Sequence, residues 1–187
     1  MKKSRAGPSE LVVIIGAGGL GTSAIQIVKK TIGARIAVVD IEDSKLKLAE
    51  KIGADYTINS KALAIKEITS RIREINRGLL ADVAIDFVGM PATSSIGFEV
   101  IGRGGRLVLV GLFGGEGKFA LPIFPLKAVE IMGNFTGTIQ DLGEMVQLVE
   151  RGLISPVVSE SHSLDCANEV IEKLISGKIE GRAVLRP

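Results

Sequence analysis

The stretch Val13-Ile14-Ile15-Gly16-Ala17-Gly18-Gly19-Leu20-Gly21 constrains this chain more than any other. An apolar, β-branched run from Leu11 to Ile15 enters it, and a helix-period segment with Ala24, Ile27 and Val28 leaves it. Strand, glycine turn, helix is the order in which backbone N–H groups at a helix start can face an anion. Gly16 suits the tight turn, and Gly18 lets backbone approach a diphosphate with no Cβ between. Gly21 lets the helix close on the strand. Gly19 and Leu20 fall at the helix start, where free N–H groups and the positive dipole end point outward. A glycine-rich turn alone is weak evidence, since it can be only a turn. Here Asp40 closes the next β-branched run, 19 residues after Gly21. An offset of ~20 residues is where an acid meets the ribose of a dinucleotide.

Asp40 also bears on which dinucleotide is bound. A carboxylate accepts hydrogen bonds from a ribose hydroxyl and repels a 2′-phosphate, so NAD is expected over NADP. The alternative role for Asp40 is to cap the turn that follows its strand. Lys45, five residues on, is a candidate for the ribose or phosphate; its alternative is plain exposed helix surface.

The rest of the chain repeats the alternation. Leu11–Ile15, Arg35–Val39, Val83–Val88 and Leu107–Leu112 are apolar on nearly every residue, as strands buried on both faces must be. Shorter runs at Tyr56–Ile58 and Ile131–Asn134 complete six. Ile65, Ile68, Ile72 and Ile75 step by 3, 4 and 3, the signature of one helix face. The expectation is α/β, a doubly wound six-stranded parallel sheet with helices on both faces. Periodicity alone leaves a flavodoxin-like strand order as open as a Rossmann one. After residue 135 the rhythm changes. Leu142, Met145, Val146 and Val149 mark a helix face that Gly152 ends; Pro156-Val157-Val158 follows. A second helix with Ala167, Val170, Ile171 and Leu174 then leads to a strand-like Ala183-Val184-Leu185. Residues 1–154 read as one domain, and 155–187 as a tail too small to fold alone, packed on something else.

Composition narrows the partners. Hydrophobic residues make up 46% and charged ones 24%, enough for a core, and the net charge is only +2. With no basic run beyond the first residues and 4% aromatics, nucleic acid is not an expected partner. A single cysteine, Cys166, excludes an internal disulfide and suits a reducing compartment. The apolar runs fall far short of the ~18 residues needed to cross a membrane. Met1-Lys2-Lys3 leads into the glycine motif rather than a cleavage site. A cytoplasmic protein without a membrane partner is expected.

Taken together, these residues resemble the zinc-containing, medium-chain alcohol dehydrogenase family. Ile36–Asp40 with Lys45 to Asp55 is similar to that family's second strand, helix and approach to the third. Asp82 to Gly89 is similar to its fourth strand, Gly104 to Gly111 to its fifth, and Gly177 to Leu185 to its C-terminal signature. The resemblance implies a Rossmann domain of strand order 3-2-1-4-5-6. It implies that Val88 and Gly89 flank the adenosine side and that Val110, Gly111 and Leu112 lie against the nicotinamide. Backbone near Asn134–Thr136 would meet the carboxamide. For Val110 and Leu112 the alternative is ordinary sheet core. It further implies a homodimer, or larger species, through the Ile131–Asn134 edge.

In that family a separate N-terminal domain holds the catalytic zinc, the proton relay and most of the substrate pocket. This chain begins about one strand before the glycine loop, so the catalytic half is expected to be missing, with no catalytic or metal residues in the chain. His162, Asp165 and Cys166 are the imaginable zinc donors, and they are read as ordinary tail residues. The expected function is the cofactor half of a zinc-dependent alcohol or polyol dehydrogenase, without turnover or stoichiometric zinc of its own. The alternatives are a free-standing dinucleotide-binding module and a fragment of a zinc-free, NADPH-linked quinone or enoyl reductase. Asp40 argues against the last.

Overall fold

From Leu11 to Ile15 no side chain is more than 2% exposed, and this strand is the centre of the fold. The computed structural model describes all residues, Met1–Pro187. The elements are β1 (Leu11–Ile15), α1 (Gly19–Ile27), β2 (Arg35–Asp40), α2 (Asp43–Ile52), β3 (Tyr56–Asn59), α3 (Ile65–Ile75), β4 (Ala81–Asp86) and α4 (Pro91–Val100). They continue with β5 (Ile101–Leu109), α5 (Ile123–Lys127), β6 (Glu130–Gly133), α6 (Ile139–Glu150), β7 (Val158–Ser163), α7 (Ala167–Ile175) and β8 (Arg182–Arg186).

Six strands form one parallel sheet in the order β3-β2-β1-β4-β5-β6. This settles the order that periodicity left open. Alternate residues of β1 feed two cores. Val12 and Ile14 pack with Ala24, Ile25, Val28, Leu46 and Ala49 under α1 and α2. Leu11, Val13 and Ile15 pack with Ile68, Ile72, Ile96 and Phe98 under α3 and α4. Ile65 and Ile75 flank that second core, so the 3-4-3 step does mark the buried face of α3. On α1 and the helical turn that continues it, Val28–Ile32, the buried face runs through Ala24, Ile25 and Val28. Ile27 is only half-buried, because positions 24, 25 and 28 share a side at 3.6 residues per turn.

Several boundaries differ from the sequence expectation, most of all the start of β5, at Ile101 rather than Leu107. β4 ends at Asp86 rather than Val88, and β5 at Leu109 rather than Leu112. Past these points the two chains turn toward each other instead of continuing the ladder. Val110 and Gly111 both donate to the Asp86 carbonyl, at 2.9 and 3.1 Å. β6 runs over Glu130–Gly133, although the Asn134 N–H still donates to the Leu109 carbonyl at 2.9 Å.

The C-terminal region forms a small two-stranded sheet of its own. β7 and β8 pair in parallel around α7, and Ile154, Val170 and Ile179 are buried. Gln26 ties this region to α1 by donating to the Ser155 carbonyl and accepting from the Ser155 N–H, both at 2.9 Å. No residue of α6 is buried. No helix is long and apolar enough to cross a membrane.

Candidate functional site

The C-terminal ends of β1, β2, β4, β5 and β6 place their loops along one edge of the sheet. Strand order reverses between β1 and β4, which opens a crevice where ligands of such sheets bind. The glycine loop forms its floor. Gly16 has φ +90°, which side chains rarely adopt, and its N–H donates to the Val39 carbonyl at 2.9 Å. Gly18 caps α1 and has open space where a Cβ would stand. A methyl group on Gly21 would run into the Gly16 carbonyl oxygen, so it is the turn itself that α1 presses on. The N–H groups of Gly19, Leu20 and Gly21 precede the first intrahelical bond, Thr22 N–H to Gly18 carbonyl at 2.9 Å. Leu20 is about half exposed on that first turn.

Asp40 performs the capping role weighed for it and also reaches the glycine loop. Its Oδ1 accepts from the N–H groups of Ile41 at 2.7 Å and Glu42 at 3.0 Å, which caps the turn. Its Oδ2 accepts from the Ala17 N–H at 2.7 Å, inside the glycine loop. A carboxylate offers about four lone-pair sites, so these three bonds leave capacity for a ribose hydroxyl. Lys45 sits half-buried in the first turn of α2.

The loops after β4 and β5 form the facing wall. Val88 leans over Gly16: a methyl group there would come within 2.7 Å of Val88 Cγ2. Gly89 and Gly111 meet backbone to backbone, and a side chain on either would strike the other's main chain. Phe113 N–H donates to the Val88 carbonyl at 3.2 Å, and Gly114 N–H to the Gly89 carbonyl at 3.1 Å. Val110 packs, partly buried, against the core under α1, whereas Leu112 is exposed. Thr136, in the loop after β6, is held at φ +49°, an outlying conformation for a β-branched residue.

One residue of this crevice carried no signal in the local spacing. Arg182 opens β8, yet its guanidinium lies against Gly19, where a methyl group would overlap Nε and Cζ. A cation at the start of α1 reinforces the helix dipole toward an anion.

The C-terminal donors are engaged elsewhere. His162 Nε2 pairs with Glu160 Oε2 at 2.8 Å, and Lys173 Nζ donates to the same oxygen at 2.9 Å. Lys173 first, and His162 second, hold the Glu160 carboxyl below the usual carboxylate range. Asp165 accepts from the Ser163 hydroxyl, and Cys166 is half-buried. Nowhere do three His, Cys, Asp or Glu residues stand together as a metal would need. The donor set does not fit a zinc ion.

Residues 19–151 match the family described as zinc-binding dehydrogenase. The chain is 39% identical over its full length to an NAD-dependent alcohol dehydrogenase of Sulfurisphaera tokodaii, of which it covers 53%. It is 36% identical to an alcohol dehydrogenase of Geobacillus stearothermophilus, again over 53% of that protein. The solved alcohol dehydrogenase from Aeropyrum pernix superposes with a TM-score of 0.91 at 37% identity, covering all of this chain and 53% of the other. Acetophenone reductase from Geotrichum candidum, solved in complex with NAD, gives 0.87 at 29% identity, covering all of this chain and 51% of that one. The chain spans about half the length of the curated relatives it matches.

Proposed function

This chain belongs to the zinc-binding dehydrogenase family, and on that premise we propose that it is the NAD-binding half of an alcohol dehydrogenase. The observation that carries the reading is the glycine loop itself. It brings the start of α1, which no side chain caps, the Arg182 guanidinium and the Asp40 carboxylate to one crevice. The open face of Gly18 leaves room for a pyrophosphate against the backbone. The N–H groups of Gly19, Leu20 and Gly21, with Arg182, supply the positive charge. Asp40 takes the adenosine ribose and disfavours a 2′-phosphate, with Lys45 beside it. Val88 and Gly89 wall the adenosine side; Val110, Gly111 and Leu112 face the nicotinamide, and backbone at Asn134–Thr136 meets the carboxamide. When bound, the nicotinamide supplies the hydride acceptor or donor for an alcohol carbon in the whole enzyme. This chain's share is to bind and orient it.

The same reading assigns residues 1–154 to the cofactor domain and 155–187 to the edge of a catalytic domain contributed by further sequence. It also has two copies pairing along Ile131–Asn134, since β6 is an open sheet edge. At that edge Lys3 Nζ donates to the Gly133 carbonyl at 2.9 Å and Arg5 pairs with Glu130. Sedimentation equilibrium checks the pairing, and a monomer throughout contradicts it. Fluorescence titration with NADH tests the function. Saturable binding that Arg182→Ala weakens is expected; no saturation, or an Arg182→Ala chain that binds as well, overturns it.

A further inference from the structure

Asp86 ends β4 with no exposed surface. A buried carboxylate is tolerated only when its oxygens are hydrogen-bonded. No cation pairs with it. Its partners are three neutral donors. Oδ1 accepts from the Val88 N–H at 2.8 Å and the Gly89 N–H at 3.0 Å, and Oδ2 from the Thr93 hydroxyl at 2.8 Å. Its main-chain carbonyl takes the Val110 and Gly111 N–H groups, at 2.9 and 3.1 Å. One residue therefore holds four backbone amides, two from the loop after β4 and two from the loop after β5. Those loops touch through Gly89 and Gly111, and Val88 reaches across to Gly16.

We infer that Asp86 is a positioning residue that sets the distance between the adenosine wall and the nicotinamide wall of the crevice. This rests on the dinucleotide reading above. The distance matters to a ligand that must satisfy both walls at once. A linked ligand gains affinity only when both halves dock together, while a mononucleotide needs one wall and can follow it. Of the two acceptors that hold the walls, the main-chain carbonyl survives any replacement and Oδ1 does not, so the chemistry of a replacement decides the hold on Val88 and Gly89 alone. In Asp86→Asn the amide oxygen keeps both N–H donors. The new NH₂ donates to Thr93 Oγ1, whose own hydroxyl has the Met90 carbonyl at 3.0 Å as an acceptor. In Asp86→Ala the Val88 and Gly89 N–H groups lose their acceptor. Asp40 is bonded to Ala17, Ile41 and Glu42 and does not touch this network.

The test is a titration of wild type, Asp86→Ala and Asp86→Asn with NAD and with AMP. Losing the acceptor of two part-buried amides should weaken NAD about tenfold or more, AMP less than about threefold, and Asn should recover most of the loss. Equal losses for both ligands, no loss, or an Asn variant as poor as Ala overturns the inference. A wild type that gains nothing from the nicotinamide half overturns the dinucleotide reading, and this one with it. Native-state hydrogen exchange on the wild type needs neither ligand nor variant. The Val88 and Gly89 amides should be as protected as those of Val110 and Gly111. Rapid exchange at the first pair refutes the clamp even if Asp86→Ala does not fold.

Discussion

Every side chain of β1 is sealed, whereas α6 buries none of its twelve residues. Both segments carry the apolar pattern of an element that packs. β1 has its partners within the chain, on both faces. Ile139, Leu142, Val146 and Val149 of α6 stand exposed, as do Phe135 before it and Leu174 on α7. The contrast teaches that pattern predicts an element's type, while burial depends on whether its partner is present. The glycine loop that floors the crevice grows directly out of the sealed strand β1. The exposed apolar face lies on α6 and α7, away from that strand.

The largest expected effect comes from cutting into the sealed part. Leu107→Ala empties a site with no exposure and should cost about 2–5 kcal/mol, against about 0.5 kcal/mol or less for Val149→Ala on the exposed face. Urea denaturation of the two variants measures the gap, and equal costs break the comparison. Next comes a pair of glycines. Gly21→Ala sets a methyl against the Gly16 carbonyl and should cost about 1–3 kcal/mol by overpacking, with loss of NADH binding. Gly143→Ala, in the middle of α6, meets open space and should stabilise the chain by about 0.5–1 kcal/mol. A destabilised Gly143→Ala would show that α6 is not free in solution.

The smallest effect is a titration. Asp141 in α6 is held well below the usual carboxylate range, chiefly by the hydrogen bond from Lys2 and then by Thr138. A lowered carboxyl contributes above its ordinary value and loses that contribution only as pH falls through the lowered one. The tie between the N-terminal turn and α6 should therefore survive acidification from pH 7 to about 4, near the ordinary value. The ¹³C carboxyl shift of Asp141 reports it; a midpoint at or above that ordinary value contradicts the pair.

What the sequence disclosed follows the range of the interactions. The glycine loop and Asp40 act within a strand, a turn and the next strand, and short spacing was enough to bring them together. Arg182 reaches Gly19 because β8 returns to the start of α1, and no local pattern reports such a return. Asp86 did carry a signal: an acid inside a run that reads as buried on both faces must have partners to satisfy it. The ends of β4 and β5 were misplaced by two and three residues because Val88 and Leu112 are apolar enough to extend the runs. Hydrogen bonds to Asp86, invisible in hydropathy, turn the chain out of the sheet earlier.

The central claim is that Asp40 and the glycine loop make this crevice a site for NAD. Calorimetric titration of the 187-residue chain with NAD and NADP, repeated on Asp40→Ala, tests it most directly. The account predicts that wild type binds NAD more tightly than NADP. It predicts that Asp40→Ala narrows the gap by removing the repulsion and weakening the hold on the ribose together. Equal or reversed affinities in the wild type, or a preference untouched by Asp40→Ala, would contradict it.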